Sequence, residues 1–496
     1  MSRNRSRRGP AVALLLLLSL TPAACTPVRN PATGELQYTS MTPAEERRIG
    51  REEHPKILES FGGAYDDPEL AAYLEEVGQR VARVSEIPEL RFTFTLLDTP
   101  DVNAFALPGG YVYVTRGLLA LVNDEAELAG VLGHEIGHIA ARHTALRYDQ
   151  AMLGQLGALG ATILGAVLFG EEGARLGADL GTLAATAYVQ GYSRQQEFEA
   201  DQLGIRYLVR AGYDARAMAS FLDSLERYDA LQTKLRGGRG EEIPSWLASH
   251  PRTADRVRRA AEEAMAAAGG ATDRERLLAA IDGMVFGDSP AHGWVEGRSF
   301  VHPVLRFRFT APEGFRLENS PEVVAGEDGD GRLLLFDIAA REPGTSLVGY
   351  LRRVWGEDLD FDELMPGWTE RGYDAAIGIA RVRVDGERRR AFFGVIAGEG
   401  RTVYRFLYLT RRANRRERRR FEAVLDSFAR LTPAEAARLR PLRIVVHRVE
   451  PADTVDRLVA RMQVERLPRE HFLVLNALRE GVPLQPGLRV KLVRRR

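Results

Sequence analysis

The sequence predicts a multidomain α+β protein with a mostly helical first half, a small α+β sandwich and a short C-terminal β-α-α-β unit. Three observations support this fold class. Residues 41–268 place apolar side chains mainly at helical spacing, residues 300–432 alternate short strands with turns, and residues 441–493 follow a strand-helix-helix-strand pattern. Because 45% of the 496 residues are hydrophobic, the chain has enough apolar material for more than one core.

The first 25 residues have the parts of a secretory signal. Four early arginines precede an apolar run over residues 11–18, and small residues lead into Cys25. Cys25 is the only cysteine, so the mature protein has no internal disulfide. Its position directly after Ala23-Ala24 is similar to a bacterial lipoprotein acylation site, and we expect a lipid anchor there. Cleavage near Ala24 as an ordinary signal is the alternative. Residues 26–40 are predicted to be a polar linker.

A short motif with the chemistry of a metal site lies in the predicted helix that follows Asn123-Asp124-Glu125, which supplies an N-cap. His134-Glu135-Ile136-Gly137-His138 is an H-E-x-x-H motif. Because four residues make about one helical turn, both imidazoles leave the same face and can bind one zinc ion. Glu135 is placed to act as general base on a water bound to that ion.

A catalytic zinc needs a third protein ligand. His143 lies five residues after His138, about 140° further round a helix of 3.6 residues per turn, so we predict a helix-end or packing role for it. Glu197 and Asp201 stand one turn apart on a second predicted helix. We predict that Glu197 is the third ligand and that Asp201 accepts the other N–H of a ligand histidine. Glu199 points elsewhere at that spacing and is predicted to lie outside the site.

Together these motifs resemble the CAAX-prenyl-protease/HtpX/BepA-type zinc metallopeptidase family. Residues 103–110 look like the strand before the family's metal helix, and His250-Pro251 with Arg256 is similar to its His-Pro…Arg element. The resemblance covers residues 41–265. It implies a zincin-type domain with gluzincin endopeptidase activity and one Zn²⁺ per chain. The implied zinc ligands are His134, His138 and Glu197, with Glu135 as the base.

The residues around the implied zinc site give three further predictions. His250 either donates to the oxyanion of the tetrahedral intermediate or occupies the open zinc position at rest; a structural His-Pro turn is the alternative. Asp201 and Arg256 are expected to support the ligands or the transition state. The stretch Tyr111-Val112-Tyr113 belongs to a predicted strand whose exposed edge can pair with an extended substrate, and an ordinary interior strand is the alternative.

The distribution of apolar residues indicates the compartment. Unlike the prenyl-protease and HtpX branches, the chain lacks several long membrane spans, which is typical of the soluble periplasmic branch. Residues 152–170 just reach the length of one span, but five glycines favour a buried or flexible helical hairpin over the active site. We therefore expect a periplasmic protein that is anchored to the outer membrane through Cys25.

The second half of the chain carries no catalytic constellation. We predict that residues 269–299 are a connector and that residues 300–432 are a structural or partner-binding accessory domain. Its predicted strands cover residues 305–310, 332–338, 378–384, 390–395 and 402–409, and its helix covers residues 416–428. The arginine-rich run 411–420 has no interleaved aromatic residues and favours a solvated helix face over a nucleic-acid site. Residues 441–493 resemble a LysM module, which implies peptidoglycan as a partner; a LysM-shaped spacer is the alternative.

The charge balance and the motifs together indicate one class of function. With 68 basic and 68 acidic residues, the chain shows no bias towards polyanions. We predict a zinc-dependent endopeptidase of the bacterial cell envelope that hydrolyses unfolded or misassembled proteins in quality control. The alternative is a non-catalytic chaperone or scaffold bound to peptidoglycan through the C-terminal module. Glu135 favours the enzyme, because a structural zinc site has no use for a base beside its ligand.

Overall fold

The structure is a computed structural model. It describes residues 26–39, 41–148, 192–236, 250, 254–267, 269–357, 359–384 and 387–496. The predicted signal with Cys25, the apolar stretch 152–170 and Pro251 lie outside the described residues. Within these ranges, no helix combines the length and the hydrophobicity that a membrane span requires.

The first half of the chain is mostly helical, as predicted. It contains strands β1 (Thr26–Arg29), β2 (Leu36–Thr39), β3 (Thr93–Leu97), β4 (Ala104–Leu107) and β5 (Tyr111–Thr115). Its helices are α1 (Pro43–Ser60), α2 (Pro68–Ala82), α3 (Arg116–Leu121), α4 (Glu125–Ala140), α5 (Arg194–Arg210), α6 (Arg216–Leu235), α7 (Ala254–Ala266) and α8 (Arg274–Ile281).

Strands β1 and β2 form a hairpin in the region expected to be a polar linker. The strands pair antiparallel over four residues each. Asn30 in the connecting turn is buried, and its Oδ1 accepts hydrogen bonds from the backbone N–H groups of Ala32 and Thr33. Its Nδ2 donates to the backbone O of Ala141 at 3.3 Å, just past the end of α4. The linker prediction is therefore wrong for residues 26–39, because a buried asparagine fixes this turn against the helical domain.

Strand β5 lies in the middle of its sheet. It pairs in parallel with β3 and antiparallel with β4, so both of its backbone edges are hydrogen-bonded within the protein. The exposed edge predicted for Tyr111-Val112-Tyr113 is therefore wrong, and the interior-strand alternative holds. Among the described residues, no strand pairs with the outer side of β4, which leaves β4 as a free edge of this sheet.

The second domain is an α+β sandwich with two antiparallel sheets. The strands are β6 (Trp294–Glu296), β7 (Ser299–His302), β8 (Phe307–Thr310), β9 (Arg316–Asn319), β10 (Val324–Glu327), β11 (Leu333–Ala340), β12 (Phe361–Trp368), β13 (Asp374–Val384), β14 (Glu387–Ala397), β15 (Thr402–Thr410) and β16 (Ala429–Arg430). The smaller sheet has the order β16-β8-β7-β6, and the larger has the order β12-β13-β14-β15-β11-β10-β9. The helices in this part of the chain are α9 (Leu347–Tyr350), which a π-helical turn (Leu351–Trp355) follows, α10 (Arg415–Ser427) and α11 (Pro433–Ala436).

Each strand predicted for this domain overlaps an observed one, and the predicted helix overlaps α10, which buries Phe421 and Leu425. The predicted connector 269–299 is divided between the two domains. Helix α8 buries Leu277, Leu278 and Ile281 in the core of the first domain, whereas β6 belongs to the smaller sheet of the sandwich. Because α8 packs in the first core and β6 pairs in a sheet of the sandwich, residues 269–299 belong to these two folded units. They are not a separate connector.

The C-terminal unit has the predicted β-α-α-β order and shares the core of the first domain. It consists of β17 (Leu442–Arg448), α12 (Val455–Val459), α13 (Pro468–Leu475) and β18 (Arg489–Arg495), with β17 and β18 antiparallel. Ile444 and Leu492 belong to the same buried cluster as Leu277 of α8. Lys491 is fully buried, and its Nζ donates to three backbone carbonyls at the end of α3. The unit is thus packed onto the first domain by both apolar and polar contacts.

Candidate metal centre

Helices α4 and α5 can approach closely because glycines line their contact. A Cβ added at Gly137 would meet Leu203 Cβ at 3.1 Å and the backbone O of Ala200 at 3.2 Å. A Cβ at Gly133 would lie 3.2 Å from Gly204 Cα. The Asp124 side chain starts α4 by accepting from the backbone N–H of Glu127 at 2.8 Å, as the sequence predicted. The close packing brings the H-E-x-x-H face of α4 against the acidic face of α5.

Three predicted metal ligands converge at this helix contact. His134 Nε2 lies 3.1 Å from His138 Nε2, and His138 Nε2 lies 3.4 Å from Glu197 Oε1. His134 Nε2 lies 3.7 Å from Glu197 Oε2, and all three residues are fully buried. A tetrahedral site with metal–ligand bonds of about 2.0–2.1 Å separates its ligand atoms by about 3.3 Å. The three donors therefore fit one ion without rearrangement.

His250 completes a group of four possible ligands around this point. Its Nδ1 lies 3.2 Å from His134 Nε2 and 2.9 Å from Glu197 Oε1, and the residue is fully buried. Its Nε2 lies 3.5 Å from Glu135 Oε1. The structure thus brings the predicted base and His250 to the ligand cluster, and His250 Nδ1 lies next to one ligand atom each of His134 and Glu197.

Asp201 and Arg256 support the cluster from behind. Asp201 Oδ1 lies 3.0 Å from His134 Nδ1, and Arg256 donates to both Asp201 oxygens at 2.7 and 2.8 Å. Arg256 also pairs with Glu197 and donates to the backbone O of His250 at 3.2 Å. Burial alone would raise the pKa of Asp201, but hydrogen bonds from Arg256 and His134 hold that pKa below its usual range. One buried guanidinium thus fixes a possible ligand carboxylate, the carboxylate that orients His134, and the His250 backbone.

Glu197 also remains ionised in this buried setting. Burial alone would raise the pKa of its carboxyl group, whereas His250 and the hydrogen bond from His138 hold that pKa well below its usual range. An anionic carboxylate beside two imidazole nitrogens is a donor set that suits a divalent transition-metal ion.

Two residues that the sequence analysis placed outside the site lie next to it. His143 Nδ1 lies 3.0 Å from His138 Nδ1, and His143 Nε2 lies 3.4 Å from Glu199 Oε2. Neither residue belongs to the group of possible ligands found among the described residues, in agreement with the prediction, but His143 lies nearer to His138 than a longer helix would place it. The cause is local, because α4 ends at Ala140 and Arg142 has a left-handed backbone with φ 59°. This turn folds His143 back towards His138 instead of carrying it round a longer helix.

Tyr192 is a further neighbour that the sequence analysis missed. Its ring stacks on the His138 ring with 3.8 Å between centroids and 19° between planes. No periodicity or spacing links Tyr192 to the motif. In contrast, Tyr113 of the predicted substrate strand hydrogen-bonds His54 of α1 at 2.7 Å and is not a member of the ligand cluster.

Residues 68–264 match the model of peptidase family M48. This matched segment, the M48 domain, contains all four residues of the candidate metal cluster. Members of this family are metal-dependent peptidases, in agreement with the buried His-His-Glu cluster of the M48 domain. The family match ends before the α+β sandwich and the C-terminal unit begin.

Curated relatives of the M48 domain carry names of proteases. The putative beta-barrel assembly-enhancing protease of Vibrio cholerae is 30% identical over 264 residues, which are 51% of this chain and 52% of the relative. The beta-barrel assembly-enhancing protease of Escherichia coli K12 is 32% identical over 200 residues, which are 39% of this chain and 40% of the relative. Human mitochondrial metalloendopeptidase OMA1 is 31% identical over 191 residues, which are 38% of this chain and 35% of the relative. The chain thus spans about half of these relatives or less.

Proposed function

We propose that this protein is a zinc-dependent endopeptidase of the bacterial cell envelope that hydrolyses unfolded or misassembled proteins. The observation that carries the proposal is a buried carboxylate, Glu135, 3.5 Å from His250 Nε2 and beside three ligand atoms at tetrahedral spacing. A chaperone or scaffold with a structural metal would have no use for this carboxylate. The relatives named as beta-barrel assembly-enhancing proteases support envelope proteins as the substrate class.

The chain's own residues supply most of the chemistry. Zinc held by His134, His138 and Glu197 would polarise the scissile carbonyl and lower the pKa of a water towards about 7. The Glu135 carboxylate takes the proton of the attacking water and delivers it to the leaving amine. Asp201 accepts from His134 Nδ1 and so keeps the lone pair of His134 Nε2 directed into the site.

The free edge of β4 is the place for an extended substrate. Since β5 is paired on both sides and residues 63–65 hydrogen-bond to the outer side of β3, we assign main-chain pairing with a peptide to β4 (Ala104–Leu107), which packs beside α4. Pairing through the backbone tolerates many side chains but requires an unfolded segment. Cleavage of a folded protein as fast as its unfolded form would exclude this binding mode.

His250 closes the site at rest. Its Nδ1 stands at the corner that a substrate carbonyl or a water needs, so His250 must leave before cleavage. We expect His250→Ala to keep the metal and to raise basal cleavage of an unfolded protein, measured with metal content in the same samples. A fall of about two to three orders of magnitude with metal retained would instead assign His250 as an oxyanion donor. Unchanged cleavage and metal would place His250 outside the mechanism.

The metal assignment is tested on helix α5. We expect Glu197→Ala to lose both zinc and cleavage, because it removes the only carboxylate of the ligand group. Gln195→Ala on the same helix is the control, since Gln195 is exposed and its loss should change neither. The measurements are metal analysis and cleavage of unfolded envelope proteins with and without a chelator. Full zinc occupancy in Glu197→Ala, or cleavage that resists the chelator, would contradict the proposal.

The anchors predicted from the sequence complete the proposal. We propose that the chain is periplasmic and carries a lipid on Cys25, which mass spectrometry of the mature N-terminus would test.

We also propose that residues 441–493 bind peptidoglycan as a LysM-like unit. The support is their β-α-α-β order together with exposed loops beside the strands, such as residues 450–452 and 479–483. Failure of the full chain to co-sediment with isolated peptidoglycan would contradict glycan binding.

A further inference from the structure

Both ligand histidines have a partner on the ring nitrogen that faces away from the cluster, but the partners differ. His134 Nδ1 has a carboxylate partner, Asp201, at 3.0 Å. His138 Nδ1 has another imidazole, His143, at 3.0 Å. A metal-bound histidine usually donates its other N–H to a carboxylate, a carbonyl or a water. The His143 imidazole can accept at Nδ1 only when its proton is on Nε2. A further residue is therefore needed to hold that proton on Nε2.

Glu199 provides that residue. When His138 Nε2 faces the metal, its Nδ1 carries the proton, so His143 Nδ1 must accept. A neutral His143 then carries its own proton on Nε2, which lies 3.4 Å from Glu199 Oε2. The Glu199 carboxylate, which only accepts, thus fixes both directions: His138 donates to His143, and His143 donates to Glu199. We call these three residues the relay.

The N-terminal hairpin holds this carboxylate in turn. Asn30 Nδ2 lies 3.3 Å from Glu199 Oε1, and Asn30 is only 1% exposed. Its amide cannot be reversed, because Oδ1 already accepts the backbone N–H groups of Ala32 at 2.8 Å and Thr33 at 3.2 Å. Asn30 Nδ2 and Gln37 Nε2 also donate to the backbone O of Ala141, where α4 ends. The hairpin therefore touches both the relay and the helix end from which His143 turns back.

We propose that Glu199 and His143 are positioning residues that hold the metal ligand His138, and that the β1–β2 hairpin secures them through Asn30. None of the three needs to contact the metal or the substrate. The inference deepens the proposed function, since it concerns the same metal site. Its consequence is that a segment about 100 residues before the ligand helix sets the affinity of the protein for its metal.

The test measures zinc affinity of the full chain by competition with a chromogenic chelator. Loss of a residue that orients a ligand histidine weakens metal binding by about 10–100-fold. We expect Glu199→Gln, which keeps the shape and removes the charge, to fall in this range. Asn30→Ala should weaken binding in the same direction, because it removes the amide that contacts both that carboxylate and the end of α4. Gln195→Ala, at an exposed position of the same helix, is the control that leaves these contacts intact.

Two further measurements separate positioning from a general structural role. The double variant Asn30→Ala/Glu199→Gln should lose less zinc affinity than the two single losses combined, because Asn30 and Glu199 share a contact. The urea midpoint of the metal-free protein should stay unchanged in Glu199→Gln, and the visible spectrum of the cobalt-substituted protein should shift, since the His138 ring is no longer held.

The outcomes distinguish the relay from the proposed function. Zinc affinity within twofold of the parent in Glu199→Gln would overturn the relay while the peptidase proposal stands. Additive losses in the double variant would overturn the role of the hairpin. A lowered urea midpoint in the metal-free variant with an unshifted cobalt spectrum would reduce Glu199 to a packing residue. A parent chain that binds no zinc would overturn the proposed function and the relay together.

Discussion

We expect Glu135→Gln to retain the metal and to lower cleavage of unfolded protein by about two to four orders of magnitude. Glu135 is fully buried beside the ligand cluster but is not among the four grouped ligand residues, so the amide should leave the ion in place. What the amide lacks is the ability to accept the proton of the attacking water. The measurement is turnover together with zinc content and the urea midpoint of the same preparation.

The control for this change is Glu89→Gln, since Glu89 is exposed in the loop before β3 and should change neither turnover nor metal. Cleavage by Glu135→Gln at the parental rate would show that another group takes the proton. Loss of zinc in this variant would instead show that Glu135 helps to hold the ligands, and its role as base would then need a second variant, Glu135→Asp.

We expect Lys491→Met to loosen the C-terminal unit from the M48 domain and to lower the local stability of their contact by about 2–4 kcal/mol. Lys491 Nζ donates to the backbone O of Ala120 and Val122 at 2.8 Å and of Leu121 at 3.3 Å. These carbonyls end helix α3, where a cation is favoured. Methionine fills the space, so the loss comes from three buried carbonyls left without a hydrogen-bond donor.

Hydrogen exchange at the amides of β18 and α3 measures this effect, because it reports local opening free energies. Arg494→Met is the matched control on the same strand; Arg494 is exposed, and its replacement should change stability by less than about 0.5 kcal/mol. Equal protection of β18 in Lys491→Met and the parent would mean that the apolar contacts of Ile444 and Leu492 alone hold the unit in place.

Local spacing was enough to find the centre of the site. The pair His134 and His138 follows from the repeat of one helical turn, and Glu197 with Asp201 follows from the same repeat on α5. The structure places His134, His138 and Glu197 at tetrahedral spacing and Asp201 against His134. Strand alternation likewise located five strands of the sandwich to within a few residues, but it missed others such as β7 and β12. These features depend on backbone periodicity, which a sequence displays directly.

The remaining features depend on contacts between distant parts of the chain. His250 meets His134 across 116 residues and Asn30 meets Glu199 across 169, and no local pattern encodes either meeting. The left-handed turn at Arg142 redirects His143, so extending α4 along the sequence gave the wrong position. The two partner strands β3 and β4 determine that β5 lies inside its sheet. The burial of Lys491 helps to hold the C-terminal unit against the first domain. The sequence alone determined which groups can bind metal, whereas tertiary packing decided which neighbours hold them, because burial and hydrogen bonding are satisfied only once the chain has folded.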